Sequence, residues 1–214
     1  MLSEPQERVR ELVGDEGDRL EAATREDLLP FFDFVRESGL RKKECYLLRW
    51  NEVNWATKQI VKLGKGRKQV VVSITQGIRS ILEPLQGHDG QFVFTYVCQR
   101  TRNGRIMGQR YTLTLSGVNT AWKRLRKKAG VVGFRFHDFR HDFGSKLLRK
   151  THNLKLVAKA LNHSDLSSTW RYAHVLDDEV AAAMESLSQD RQASREAVPA
   201  ATPVPLPRKP RRTA

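Results

Sequence analysis

The chain has 214 residues, of which 39% are hydrophobic, enough for the core of one ordinary domain. Its 38 Lys and Arg outweigh 24 Asp and Glu, and the net charge of +14 points to a polyanionic partner, nucleic acid before any other. Two cysteines, Cys45 and Cys98, make neither a disulfide framework nor a CxxC metal pattern. No run of 18 apolar residues is present, and the opening "MLSEPQERVRELVGDEGDRL" is too charged for a signal peptide, so a cytoplasmic protein with no membrane span is expected.

Residues 1–24 read as a lead-in segment, 25–187 as the folded domain and 188–214 as a disordered tail. The tail holds five of the eight prolines and no aromatic residue, too little to pack. Within the domain, "ATREDLLPFFDFVRESGL" sets Leu28, Phe31, Phe32 and Val35 at helical spacing, with Gly39 as a stop. A second helix is expected through "KKECYLLRW". In "KQIVKLGKGRKQVVVSIT" two β-branched runs flank Gly64-Lys65-Gly66, which predicts a hairpin with Lys65 at its turn. "FVFTYV" predicts another strand, and "RTRNGRIMGQR" a polar loop.

"SGVNTAWKRLRKKAG" is an amphipathic helix. Val118, Ala121, Trp122, Leu125 and Ala129 line one face and Gly130 ends it. Lys123, Arg124, Arg126, Lys127 and Lys128 fill the remainder, a basic surface suited to a DNA backbone or simply solvated. The expected fold is therefore α+β, mainly helical with a small antiparallel sheet or hairpin.

The stretch "FRFHDFRHDF", residues 134–143, changes its aromatic spacing from two to three and four at Phe136, Phe139 and Phe143. A helix is expected to start near Asp138, which would cap it. His137 then lies just outside, Arg140 one turn in, and both can meet an anion at the positive helix end. The phenylalanines read as core and the ionisable groups as the rim of a site. "HDFRH" also imitates the HExxH zinc motif, with His137 and His141 four apart. Arg140 would repel a dication there, and Asp is short for a general base. Two merely packed histidines are the plainer alternative.

Further on, Leu154, Val157 and Leu161 mark a helix, and Asn162, tolerant of left-handed backbone, follows at its end with His163 next. Tyr172 lies nine positions beyond His163. Upstream, Arg41 and Glu44 sit three apart on one helical turn. In order and spacing, "SGLRKKECYLLRW", "GKGRK", "HDFRH" and "LNHSDLSSTWRYAHV" resemble the catalytic domain of tyrosine recombinases, the phage-integrase family, over roughly residues 5–187.

That resemblance implies the DNA breaking-rejoining fold and a site-specific recombinase or integrase that works through a 3′-phosphotyrosyl intermediate without metal or ATP. Tyr172 resembles the nucleophile, Arg41 and Arg140 the phosphate clamp, and His137 and His163 the two site histidines. Lys65 resembles the general acid and Glu44 the acidic support. His137 is the expected aid to Tyr172, and His141 a support without a defined role. Double-stranded DNA and a homotetramer on it are the implied partners, with no cofactor. "LDDEVAAAMESL" offers Val180, Ala183, Met184 and Leu187 for packing on a neighbouring copy or on its own domain.

Two positions depart from the family's pattern. Asn162 replaces a usual Gly, and Asp142 a frequent Thr. The short N-terminal part reads as a catalytic domain without the helical domain that closes around DNA. A type IB topoisomerase and a non-catalytic DNA-binding remnant are the competing readings. Supercoil relaxation without a specific site would favour the first, and DNA binding without a covalent adduct the second.

Overall fold

The computed structural model describes residues 9–196, and the last part of the expected tail, 197–214, lies outside them. Two units are present, one up to Val175 and one from Leu176. The first unit opens with helix α1 (Glu16–Ala23) and continues into α2 (Leu29–Ser38) and α3 (Lys42–Tyr46). Strands β1 (Val53–Asn54), β2 (Gln59–Leu63) and β3 (Gln69–Ser73) form an antiparallel sheet in that order. After α4 (Gln76–Leu82), β4 (Thr95–Val97) pairs antiparallel with β5 (Arg110–Thr112). Helices α5 (Leu115–Lys128), α6 (Asp138–Thr151), α7 (Leu154–Ala160) and α8 (Ser167–Trp170) complete the unit. The fold is mainly helical with small antiparallel sheets, as the sequence predicts.

The expected apolar faces are the buried ones. Leu28, Phe31, Phe32 and Val35 are all in the core, and Gly39 ends α2 in the left-handed region at φ 59°. Thr114 caps α5 by accepting from the Gly117 amide, and α5 buries Val118, Trp122 and Leu125. Around Trp122 gather Phe32, Phe134, Phe136 and Phe139, with ring centroids 5.0–6.1 Å away and mostly edge-to-face. This aromatic cluster fixes the start of α6, which carries half of the site.

Several expectations change. The second helix stops at Tyr46, and Arg49 instead bridges to Phe92, since a longer helix would carry Leu48 out of the core in which it is wholly buried. Only Thr95–Val97 of "FVFTYV" is strand, and the polar loop that follows it runs at its last residue, Arg110, into β5. Residues 9–24 of the lead-in fold onto the domain, and residues 1–8 lie outside the described residues: Leu20 of α1 is buried, Arg19 donates to the Ala129 carbonyl at 2.8 Å, and Glu11 pairs with Arg149 at 3.1 Å.

In the second unit, helix α9 (Asp177–Glu196) runs nine residues beyond the boundary drawn at 187. Its Val180, Met184 and Leu187 are exposed. Among the described residues no helix is long and apolar enough to cross a membrane.

Candidate active site

The site is built where three helix ends meet. Arg41 caps α3, and its backbone amide donates to Glu44 Oε2 at 2.9 Å while its Nη1 meets Glu44 Oε1 at 3.2 Å. Glu44 therefore both closes the helix start and holds the guanidinium's direction. Only Glu44 of this pair is buried, and Arg41 keeps a partly open face.

Arg140 is buried, yet no carboxylate pairs with it among the hydrogen bonds it makes. Its Nη1 donates to the Gly39 carbonyl at 2.8 Å, and its Nη2 donates to the Leu161 carbonyl. Those carbonyls lie at the C-terminal ends of α2 and α7, where helix dipoles favour a cation. Burial first, and the Arg41 charge next, lower its pKa to about 10, so it is still charged at neutral pH.

Tyr172 is almost wholly buried. Gly144 makes room for its ring: a Cβ there would lie 2.9 Å from Tyr172 Cζ and 3.1 Å from Leu161 Cδ1. The hydroxyl meets His141 Nδ1 at 3.1 Å. The histidine on the tyrosine is thus His141, not His137, which caps α6 and is exposed.

Asp138 likewise is not the cap but the first residue of α6. Its carboxylate accepts from the Arg135 amide at 2.7 Å and stiffens the approach to the helix. Asp138, Arg140 and His141 are all buried, so they form not the rim of the site but its inner wall. Burial is tolerated because each has a hydrogen-bond partner.

His163 follows Asn162, which does adopt the left-handed region at φ 51°. The His163 amide donates to the Ala158 carbonyl at 2.9 Å, closing the end of α7. Its Nδ1 lies 2.8 Å from Oγ1 of the buried Thr169, leaving Nε2 as the nitrogen able to meet an anion. Burial lowers His163 to about 4, aided by Arg140, Arg41 and Arg171. Burial and then His137 bring His141 to about 4 as well. Partial burial and Arg140 also lower His137. Arg171 is thus a third cation of the cluster. Sequence reasoning missed it, because neighbours in sequence ordinarily diverge around a helical turn.

Lys65 occupies the β2–β3 turn as expected, within the tight turn Lys65–Arg67. The turn reaches the site through Gly64, where a Cβ would stand 3.0 Å from Glu44 Oε1. Asp142 does not bear on the clamp. It accepts from the Leu12 amide at 2.9 Å and pairs with Lys146 at 2.9 Å, anchoring the N-terminal segment. On α5, Arg126 turns inward and donates to the Phe134 carbonyl at 3.1 Å, while Lys123, Arg124 and Lys127 are exposed. Lys128 is exposed too, with Nζ 3.2 Å from the Ala23 carbonyl.

The two deeply shifted histidines make stability depend on pH. Unfolded imidazoles take a proton near pH 6.5, whereas His141 and His163 refuse it until about 4. The unfolded chain binds more protons across that window, so stability is full above pH 6.5 and is lost as pH falls towards 4. The expected slope is up to about 1.4 kcal/mol per pH unit for each histidine. Thermal melts between pH 4 and 7 check this, and His141→Gln should flatten the curve.

The family model "Phage integrase family" matches residues 11–179. The chain is 25% identical over 171 residues to the integrase of Salmonella phage P22, covering 78% of this chain and 44% of that protein. It is 30% identical over 154 residues to the tyrosine recombinase XerC of Oceanobacillus iheyensis, covering 66% and 47%. The XerH site-specific recombinase in a post-cleavage complex with a palindromic difH substrate superposes with a TM-score of 0.63 at 20% identity, covering 86% of this chain and 55% of that one. The catalytic domain of bacteriophage HP1 integrase gives 0.57 at 19% identity, covering 83% and 95%. An α+β domain with a guanidinium-lined tyrosine site is the class these features define. The chain belongs to the phage integrase family of tyrosine recombinases. It spans about half the length of the relatives it matches.

Proposed function

We propose that this chain cuts and rejoins DNA at a specific site through a covalent bond between Tyr172 and a 3′ phosphate. The observation that carries this reading is the buried Tyr172 hydroxyl on His141, on the same helix as an Arg140 held by two helix-end carbonyls. Arg140 is held by carbonyls rather than by a carboxylate and Arg41 keeps a partly open face, so the pocket suits an anion. A phosphodiester supplies it, and the extra charge that develops on its non-bridging oxygens favours the forked guanidiniums further.

In the reaction, Tyr172 Oη attacks phosphorus and the P–O5′ bond breaks. His141 orients the hydroxyl and receives its proton, because the bound phosphate offsets the cations that hold the imidazole neutral. Arg41 and Arg140 take the non-bridging oxygens, Glu44 holds Arg41, and His163 donates to the same phosphate. His137, at the open edge, contacts the strand beyond it. Lys65 on the turn protonates the leaving 5′ oxygen. The phosphotyrosyl link keeps the bond energy, so religation needs no ATP or metal.

Duplex DNA is the proposed partner. A groove of about 890 Å³ between α5 and the β4–β5 loop is bordered by Arg25, Arg100, Arg102, Arg105, Arg124 and Lys128, and no acidic residue lines it. This supports a backbone contact broader than the α5 face alone. The exposed row Val180, Met184 and Leu187 on α9 supports assembly of several copies on DNA.

The direct test is incubation with a nicked duplex that traps the cleaved state, read as a protein–DNA adduct resistant to denaturant. No adduct on any attachment-site duplex, with DNA binding intact, would overturn the enzymatic reading. Binding itself should weaken steeply between about 50 and 200 mM salt. Arg124→Ala and Lys127→Ala should each reduce the slope of log affinity against log salt by about one. A salt-independent affinity would rule out the backbone contact.

A further inference from the structure

Strand β3 is the outer strand of its sheet, and such an edge ordinarily leaves backbone groups unpaired. Here Val71, which faces Val61 of β2, is met from outside by a side chain rather than a strand. Asn162 Oδ1 accepts from the Val71 amide at 2.9 Å, and Asn162 Nδ2 donates to the Val71 carbonyl at 3.0 Å. The carboxamide thereby imitates one residue of a neighbouring strand, across 91 positions of sequence. The same residue forms the left-handed turn that delivers His163.

The opposite side of the hairpin is tied as well. Lys62 of β2 donates to the Glu44 carbonyl at 2.9 Å and pairs with Glu52 at 3.0 Å, and Gly64 abuts the Glu44 carboxylate. The hairpin is therefore held between the Arg41–Glu44 turn and the Asn162–His163 turn. Glycine at 162 would satisfy the backbone but offer no amide. Aspartate would accept from the Val71 amide and repel its carbonyl. Only asparagine among residues at ease in this conformation makes both bonds.

We propose that Asn162 is a positioning residue for the proton donor on the β2–β3 turn: its amide clamps the outer edge of β3 and so fixes the turn carrying Lys65 relative to the turn carrying His163. This rests on the strand-cleavage reading above. In that step the Tyr172 oxygen bonds to phosphorus, the P–O5′ bond breaks, and the Lys65 ammonium gives its proton to the departing O5′. Loss of the clamp misplaces the donor without touching the clamp on the phosphate.

The test uses Asn162→Gly, which keeps the left-handed backbone and removes both bonds. Two nicked duplexes serve as substrates, one with the natural 5′ oxygen leaving group and one with sulfur in its place. A thiolate leaves without protonation because its conjugate acid is far stronger than an alcohol. Asn162→Gly should slow adduct formation on the oxygen substrate by about tenfold, and leave the sulfur substrate within about twofold. Added to Lys65→Ala, it should slow the oxygen substrate no further. Equal slowing of both substrates, or no slowing of either, would overturn the proposal. Hydrogen exchange at the Val71 amide reads the clamp without DNA. It should accelerate in Asn162→Gly, and unchanged protection would also overturn the proposal. A parent chain that forms no adduct with either substrate defeats the cleavage reading and the positioning role with it, whereas a failure confined to the variant defeats the positioning role alone.

Discussion

Tyr172→Phe is expected to abolish the covalent DNA adduct while leaving the fold and DNA binding nearly unchanged. Phenylalanine fills the same space over Gly144 and against Leu161. What disappears is the hydroxyl and its hydrogen bond to His141. A bond of this kind contributes about 1 kcal/mol, so a melting temperature lower by a few degrees is expected. The nucleophile, in contrast, has no substitute, since no other described hydroxyl is placed on His141. A denaturing gel on the trapped duplex reads the adduct, and a binding titration shows that the variant still meets DNA. An adduct that persists in Tyr172→Phe would refute the assignment of the nucleophile.

Arg140→Lys is expected to cut the rate of adduct formation by about 10²–10³-fold, the typical worth of one preorganised donor at a developing anion. Lysine keeps the charge, but its ammonium cannot span the Gly39 and Leu161 carbonyls and still present a planar fork to phosphate. Arg140→Ala should lose as much rate and also about 2–4 kcal/mol of stability, because two buried carbonyls at helix ends are left unpaired. Denaturant titrations of both variants separate the two effects. A lysine variant that reacts at the parental rate would remove Arg140 from the clamp.

The two effects at Arg140 explain why its role was only half legible. "HDFRH" places an arginine in the first turn of a helix, and the spacing to His163 and Tyr172 marks a family. Neither reveals that Arg140 also bolts α2 to α7. Asp142 shows the same limit. Beside the clamp in sequence, it points to the N-terminal segment in space, 130 positions away. Lys62 is a third case. It takes an inward position on β2 and is buried, while Leu63 next to it is exposed. An apolar-in pattern reads that pair backwards, because the Glu44 carbonyl and Glu52 that satisfy the lysine come from elsewhere in the chain.

Local order was legible wherever it depends on near neighbours. The apolar rows of α2 and α5, the turn at Lys65 and the left-handed Asn162 follow from side-chain periodicity and backbone preference over a few residues. The sequence by itself therefore determined the helical class, the hairpin and the family. Only the tertiary structure decided that Tyr172 is buried, that His141 rather than His137 holds its hydroxyl, and that Asn162 grips β3. Those contacts join residues 31 and 91 positions apart. Such pairings are selected by how helices and sheet pack around the aromatic cluster, and no local periodicity records them.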